Sequence, residues 1–127
     1  MPSRETVQQF IDTVVSGRHD EAIKRFYTED ATMQENFGET RRGRDLLIAH
    51  ERGVMGAFAD GRIESEKVGP ALIEGDHVAI NWIFKFFDAE GRLALEMNEV
   101  ALQKWRGEKI AAERFYYDPG QRAAKTG

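Results

Sequence analysis

The chain has no cysteine among its 127 residues, which removes disulfides from the fold and thiolates from the chemistry. Proline is scarce, three in all, and only Pro70 lies in the middle of the sequence. No apolar run approaches the ~20 residues that a membrane-spanning helix requires, so no membrane partner is expected. A basic surplus is missing as well. Lys and Arg number 18 against 22 Asp and Glu, a formal net charge of −4, which speaks against a nucleic-acid partner. The opening residues MPSRETVQQF lack the apolar stretch of a signal peptide, and a cytoplasmic location is expected. No serine stands in a nucleophile-like setting and no glycine-rich phosphate loop is present. His19, His50 and His77 fall on three different elements without metal-ligand spacing, so neither a metal nor a cofactor is expected.

What is present reads as one domain over residues 1–127, with 119–127 expected as a frayed tail. Hydrophobic residues make up 41% and charged residues 31%, ordinary for a globular chain. Val7, Phe10, Ile11, Val14 and Val15 recur at helical spacing after a Ser3 start, and Gly17 ends that helix. Asp20 caps a shorter second helix with Ala22, Ile23, Phe26 and Tyr27 inward. ATMQENF, residues 31–37, alternates as a short strand with Met33, Glu35 and Phe37 on one side. Gly38–Gly43 reads as a polar, basic loop. A third helix follows over Arg44–Phe58, its inner face marked by Leu47, Ile48, Glu51, Val54, Met55 and Phe58. Arg62–Ile73 is a strand interrupted at Gly69-Pro70.

The stretch from Asp76 to Pro119 organises the rest. It reads as three long antiparallel strands, His77–Phe87, about Arg92–Trp105 and about Lys109–Tyr117, joined by turns at Asp88–Gly91 and Gly107-Glu108. Registers counted from those turns agree on one aromatic face: Val78, Ile80, Trp82, Phe84 and Phe86, then Glu96, Asn98, Val100 and Leu102, then Glu113, Phe115 and Tyr117. That face is expected to meet the helices. A single bulge would bring Glu99 in place of Asn98. The other face, with His77, Asn81, Lys85, Gln103 and Arg114 among Ala79, Ile83, Met97, Ala101 and Trp105, has the mixed character of an isologous interface, and a homodimer is expected through it. Helices followed by gathered strands give an α+β architecture.

Several stretches carry a resemblance: Phe26-Tyr27-Thr28-Glu29-Asp30-Ala31-Thr32, Gly43-Arg44-Asp45, Lys109-Ile110 and Arg114-Phe115-Tyr116-Tyr117-Asp118. With the element order, they resemble the nuclear-transport-factor-two-like superfamily of SnoaL-like cyclases and ketosteroid isomerases. The resemblance implies a cystatin-like cone, a curved antiparallel sheet wrapped around three N-terminal helices and enclosing an apolar cavity. It says little about reaction, because this fold hosts many. Alignment with ketosteroid isomerases puts Glu35 at the place of their general base, Phe10 where they carry a tyrosine, and Glu99 or Val100 near their second acid. Alignment with epoxide hydrolases puts Trp82, Phe84 and Phe115 where their Arg-x-Asp and aspartate would stand, which argues against that reaction.

The cavity is expected to be lined by Phe10, Val14, Phe26, Met33, Phe37 and Met55, and further by Phe58, Trp82, Phe84, Val100, Phe115 and Tyr117. Glu35, in an apolar wall, is expected to have a raised pKa and to act as a base. Glu96 and Asn98 would bind the oxyanion side of a small, mostly apolar carbonyl compound. Isomerase or cyclase chemistry, a non-catalytic small-molecule binding module and a dimeric interaction protein are the three functions that fit.

Overall fold

The computed structural model describes residues 1–123. The elements run α1 (Arg4–Val15), α2 (His19–Phe26), β1 (Tyr27–Glu35), β2 (Thr40–Arg42), α3 (Arg44–Ala57), β3 (Arg62–Glu74), β4 (His77–Phe87), β5 (Leu93–Arg106), β6 (Lys109–Tyr116) and α4 (Gly120–Ala123). The fold is α+β, with six strands in one curved sheet in the order β2-β1-β6-β5-β4-β3. All neighbours pair antiparallel except β1 and β6, which run parallel. The loop expected at Gly38–Gly43 contains β2, hydrogen-bonded to β1. Residues 120–123, within the tail expected to fray, form a helical turn, and 124–127 lie outside the described residues. Among the described residues no helix is long and apolar enough to cross a membrane.

Apolar spacing and a side-chain cap agree at α1, whereas α2 begins at His19, one residue before the expected Asp20 cap, and neither α2 nor α3 has a side-chain cap. The Ser3 side chain accepts the Thr6 N–H at 3.0 Å, closing the open end of α1. Val7, Phe10, Ile11 and Val14 are buried from that helix and Ala22, Ile23 and Phe26 from α2. They pack against Val78, Ile80 and Trp82 of β4 and Ala101 and Trp105 of β5. Burial of each large side chain here contributes about 1.5–3 kcal/mol. At Gly61 a side chain would collide with the Phe87 carbonyl oxygen, 1.8 Å from an added Cβ, so the start of β3 can lie close against the end of β4 only with glycine there.

Register decides which side chains reach the concave face. β4 and β6 turn inward as their patterns predict, with Val78, Ile80, Trp82 and Glu113 buried. β5 does not. The Asp88–Arg92 turn pairs Phe87 with Leu93, but Phe86 then pairs with Leu95, leaving Ala94 as an extra residue. A second irregularity lies between β5 and β6, where Trp105 pairs with Ile110 but Lys104 with Ala112. The two shifts cancel for β6 and invert β5 alone, since a one-residue slip exchanges the faces of a strand. Met97, Ala101, Gln103 and Trp105, expected on the convex face, are buried inside. Val100 and Leu102, expected inside, are each 41% exposed.

Candidate functional site

Between the helices and the sheet lies a cavity of about 240 Å³. Its apolar wall is built by Phe10 and Val14 of α1, Ile23 of α2, Val54 of α3, Met33 of β1, Trp82, Phe84 and Phe86 of β4, Met97 of β5 and Phe115 of β6. Trp82 and Phe84 stack at 5.6 Å and the Phe10 ring meets Trp82 edge-on at 6.5 Å. Alternation along β4 puts its three aromatic rings on one side.

A chain of buried polar groups closes one end. Trp105 Nε1–H donates to Gln103 Oε1 at 2.9 Å, Gln103 Nε2 donates to Glu113 Oε2 at 2.7 Å, and the Tyr27 hydroxyl donates to Glu113 Oε1. All four residues are buried. Burial pushes the Glu113 carboxyl up to about 7 even though Gln103 and Tyr27 favour its charge, and burial and Glu113 together push the Tyr27 hydroxyl well above its ordinary value.

Glu99 stands on the cavity wall beside its cross-strand neighbour Trp82. It has no hydrogen-bonding partner among the described residues. Burial, with the negative charges of Glu113 and Glu35 nearby, pushes its carboxyl up to about 8. At neutral pH Glu99 is therefore mostly a neutral acid, able to donate.

Glu35 stands at the mouth, and its setting is the reverse. Asn36 takes a left-handed turn, φ 50°, and its Oδ1 accepts the Tyr117 backbone N–H at 2.9 Å. This latches the end of β1 to β6. The Tyr117 hydroxyl then donates to Glu35 Oε1 at 2.9 Å, Arg122 Nη2 reaches the same oxygen at 3.3 Å, and Arg41 reaches Oε2 through both terminal nitrogens at 3.3 and 3.4 Å. Burial pulls the Glu35 carboxyl upward, but Tyr117, Arg122 and Arg41 outweigh it and hold the group below its ordinary range. The raised pKa expected for Glu35 is thus overturned, because α4 brings in a second guanidinium and the residue after β6 a phenol.

On the helix side, His19 Nδ1 bonds Glu51 Oε1 at 3.2 Å and His19 Nε2 bonds Ser65 Oγ at 2.8 Å. His19 and Glu51 both line the cavity, as does the exposed His50. Among the described residues no group of three or more His, Asp or Glu is placed to hold a metal ion.

Of the residues singled out from sequence, Glu35, Phe10, Val14, Met33, Trp82, Phe84 and Phe115 meet at this cavity. Tyr117 acts on it through Glu35. Phe26 is buried behind Phe10, ring to ring at 5.7 Å, and is not part of the wall. Phe58 packs on Phe86 at 5.0 Å, outside the lining, and half-buried Met55 is also outside it. Phe37 is 84% exposed, its ring against Tyr116 beyond the Asn36 turn. Glu96, Asn98 and Val100 face the convex side because of the extra residue at Ala94. Asn98 uses its backbone instead, its N–H donating to Gln121 Oε1 at 2.7 Å and its carbonyl accepting from Gln121 Nε2 at 3.0 Å. Sequence reasoning passed over Arg122 and the His19–Glu51 pair as cavity residues. Only Glu51, on the apolar stripe of α3, left a readable signal.

Solved structures similar to the chain share this architecture. A protein with a ketosteroid isomerase-like fold from Catenulispora acidiphila, in complex with trimethylamine, is 20% identical with a TM-score of 0.77, covering 98% of this chain and 94% of that one. A protein described as a SnoaL-like polyketide cyclase from Jannaschia sp. is 15% identical with a TM-score of 0.77, covering 95% and 88%. Another so described, from Mesorhizobium loti, is 22% identical with a TM-score of 0.70, covering 92% and 100%. No curated protein matches the sequence. The SnoaL-like domain model matches residues 7–113, and the chain belongs to that family.

Proposed function

We propose that the cavity binds a small, mostly apolar carbonyl compound and moves a proton on it, as an isomerase or cyclase does. The observation that carries this reading is Glu99: a carboxyl without a hydrogen-bonding partner among the described residues, set among Trp82, Phe84 and Met97 and mostly neutral at the pH where a ligand oxygen needs a donor. It takes the place that Glu96 and Asn98 were expected to fill. A protonated carboxyl aimed at a carbonyl oxygen stabilises the negative charge that grows there when a neighbouring C–H is lost. Glu35 is a weak base for that step, because its lone pairs are already engaged by three residues.

The test is binding of small cyclic ketones, followed by thermal shift from about pH 6 to about pH 9.5, across the range where the donor is lost. Affinity should fall as pH passes about 8, and Glu99→Ala should bind weakly at every pH. Affinity flat across that range would remove the reading. Binding without turnover would leave a non-catalytic binding module. A second reading has its own observation, since Glu51, Glu99 and Glu113 share an aromatic cavity, a setting that suits a small amine. Trimethylamine, found in the Catenulispora relative, therefore belongs in the screen, and its affinity should rise with pH.

We also infer a homodimer through the convex face, now with Val100 and Leu102 on it beside Ala79 and Ile83. Leu102→Lys should give a monomeric mass by light scattering where the parent gives a dimeric one. A monomeric parent at micromolar concentration would end this proposal.

A further inference from the structure

The proton-transfer reading just given requires a base, and the inference here rests on it. We propose that Glu51 is the general base of the cavity and His19 its positioning residue, anchored by Ser65.

Glu51 lies on the inner stripe of α3 and lines the cavity. Its Oε1 accepts one bond, from His19, and Oε2 carries no hydrogen bond among the described residues. Glu35, by contrast, has donors on both oxygens. A carboxylate with one free oxygen facing a ligand can take a proton without first breaking an ion pair. His19 makes that geometry definite. A carboxylate without its proton only accepts, so Nδ1 donates to Glu51, and in the neutral ring Nε2 then accepts from the Ser65 hydroxyl. The ring is fixed from three sides: it is the first residue of α2, its edge meets Phe84 at 5.6 Å, and Ser65 holds it from β3. With a side chain only 11% exposed, His19 cannot swing into water and take Glu51 with it. Ser65 pairs directly across from Phe84, so the anchor and the aromatic wall share one register.

In the step itself, Glu51 Oε2 removes the proton beside the carbonyl. For a carbonyl compound with a β,γ double bond, the C–H electron pair becomes the new double bond of a dienol as the carbonyl oxygen takes the proton of Glu99. Delivery of the Glu51 proton to the γ carbon, with the O–H proton returned to Glu99, moves the double bond into conjugation with no other reactant.

The probe is 5-nitrobenzisoxazole, whose ring opens when a base takes its C3 proton, the N–O bond breaking to give a coloured phenoxide nitrile. The full chain should open it faster than free acetate. Glu51→Gln should lose roughly 100-fold or more in kcat, and at least about tenfold more than Glu35→Gln loses, since a single well-placed base carries that share of the rate. His19→Ala should lower kcat rather than raise KM, and added imidazole should restore part of the rate, which a purely structural histidine would not show. If Glu35→Gln loses as much as Glu51→Gln or more, Glu51 is not the base and the proton-transfer reading stands without it. Tryptophan quenching by the probe without turnover ends both this assignment and the catalytic reading but leaves a binding cavity. Neither quenching nor turnover ends all three.

Discussion

Glu35 and Glu99 are glutamates on two strands of one sheet, facing one cavity, and their carboxyls are shifted in opposite directions. Glu35 is the more exposed, yet its charge is the better supported: a phenol and two guanidiniums meet it. Glu99 meets Trp82 and the fields of three other carboxylates, and its charge is opposed. Burial raises both. What separates them is the number of donors within reach, so in this cavity hydrogen bonding decides the outcome at one site and desolvation at the other.

The comparison can be broken most severely at the closed end, where Gln103 joins Trp105 to Glu113. Gln103→Leu fills the same space but strands an indole N–H and removes a donor from a buried carboxyl. Its expected loss is roughly 2–5 kcal/mol, measured by urea denaturation at neutral pH. Glu99→Gln should act in the other direction. The folded Glu99 binds its proton more tightly than the unfolded chain does, so stability from this group is complete below about pH 4.5 and is lost as pH rises towards about 8. The glutamine variant should equal the parent near the bottom of that window and exceed its melting temperature by several degrees near the top.

The smallest effect belongs to the mouth. Glu35 has a lowered pKa, so its contribution is present above the ordinary carboxylate range and fades as pH falls through the folded value. Glu35→Gln should therefore melt slightly below the parent near neutral pH, by under about 1 kcal/mol because the arginines are partly solvated, and match it in strong acid. Added salt should shrink the gap. If the two variants showed pH slopes of the same sign, donors would not be what distinguishes the two carboxyls.

The fold was legible because β4 and the three helices each state their inner face by simple periodicity, and those faces require one another. The inner faces of β4 and β6 followed from turns and alternation. That of β5 did not, since both of its irregularities lie where the sequence is alternating or neutral: nothing in Leu93-Ala94-Leu95 or Ile110-Ala111-Ala112 marks which residue is skipped. A bulge there is settled by tertiary packing, in this case by the burial of Trp105 and Met97. Glu35 was found because it lies between two apolar residues. Its chemistry was misjudged because Arg122 is 87 positions away and reaches it only through the α4 turn that Gln121 fastens to Asn98.

The extra residue at Ala94 also bears on how such a cavity changes over descent. Loss of the bulge with the residue kept, so that Phe86 paired with Ala94, would leave every residue of the strand's middle intact and still exchange its lining. Met97, Glu99 and Ala101 would leave the interior, and Glu96, Asn98 and Val100 would enter it. An unpartnered acid would be replaced by an amide flanked by a carboxylate and a valine. Within this architecture, a one-residue slip of register at a surface turn is a larger chemical step than most substitutions inside the pocket, and comparisons that align residues without placing the bulge will pair the wrong side chains.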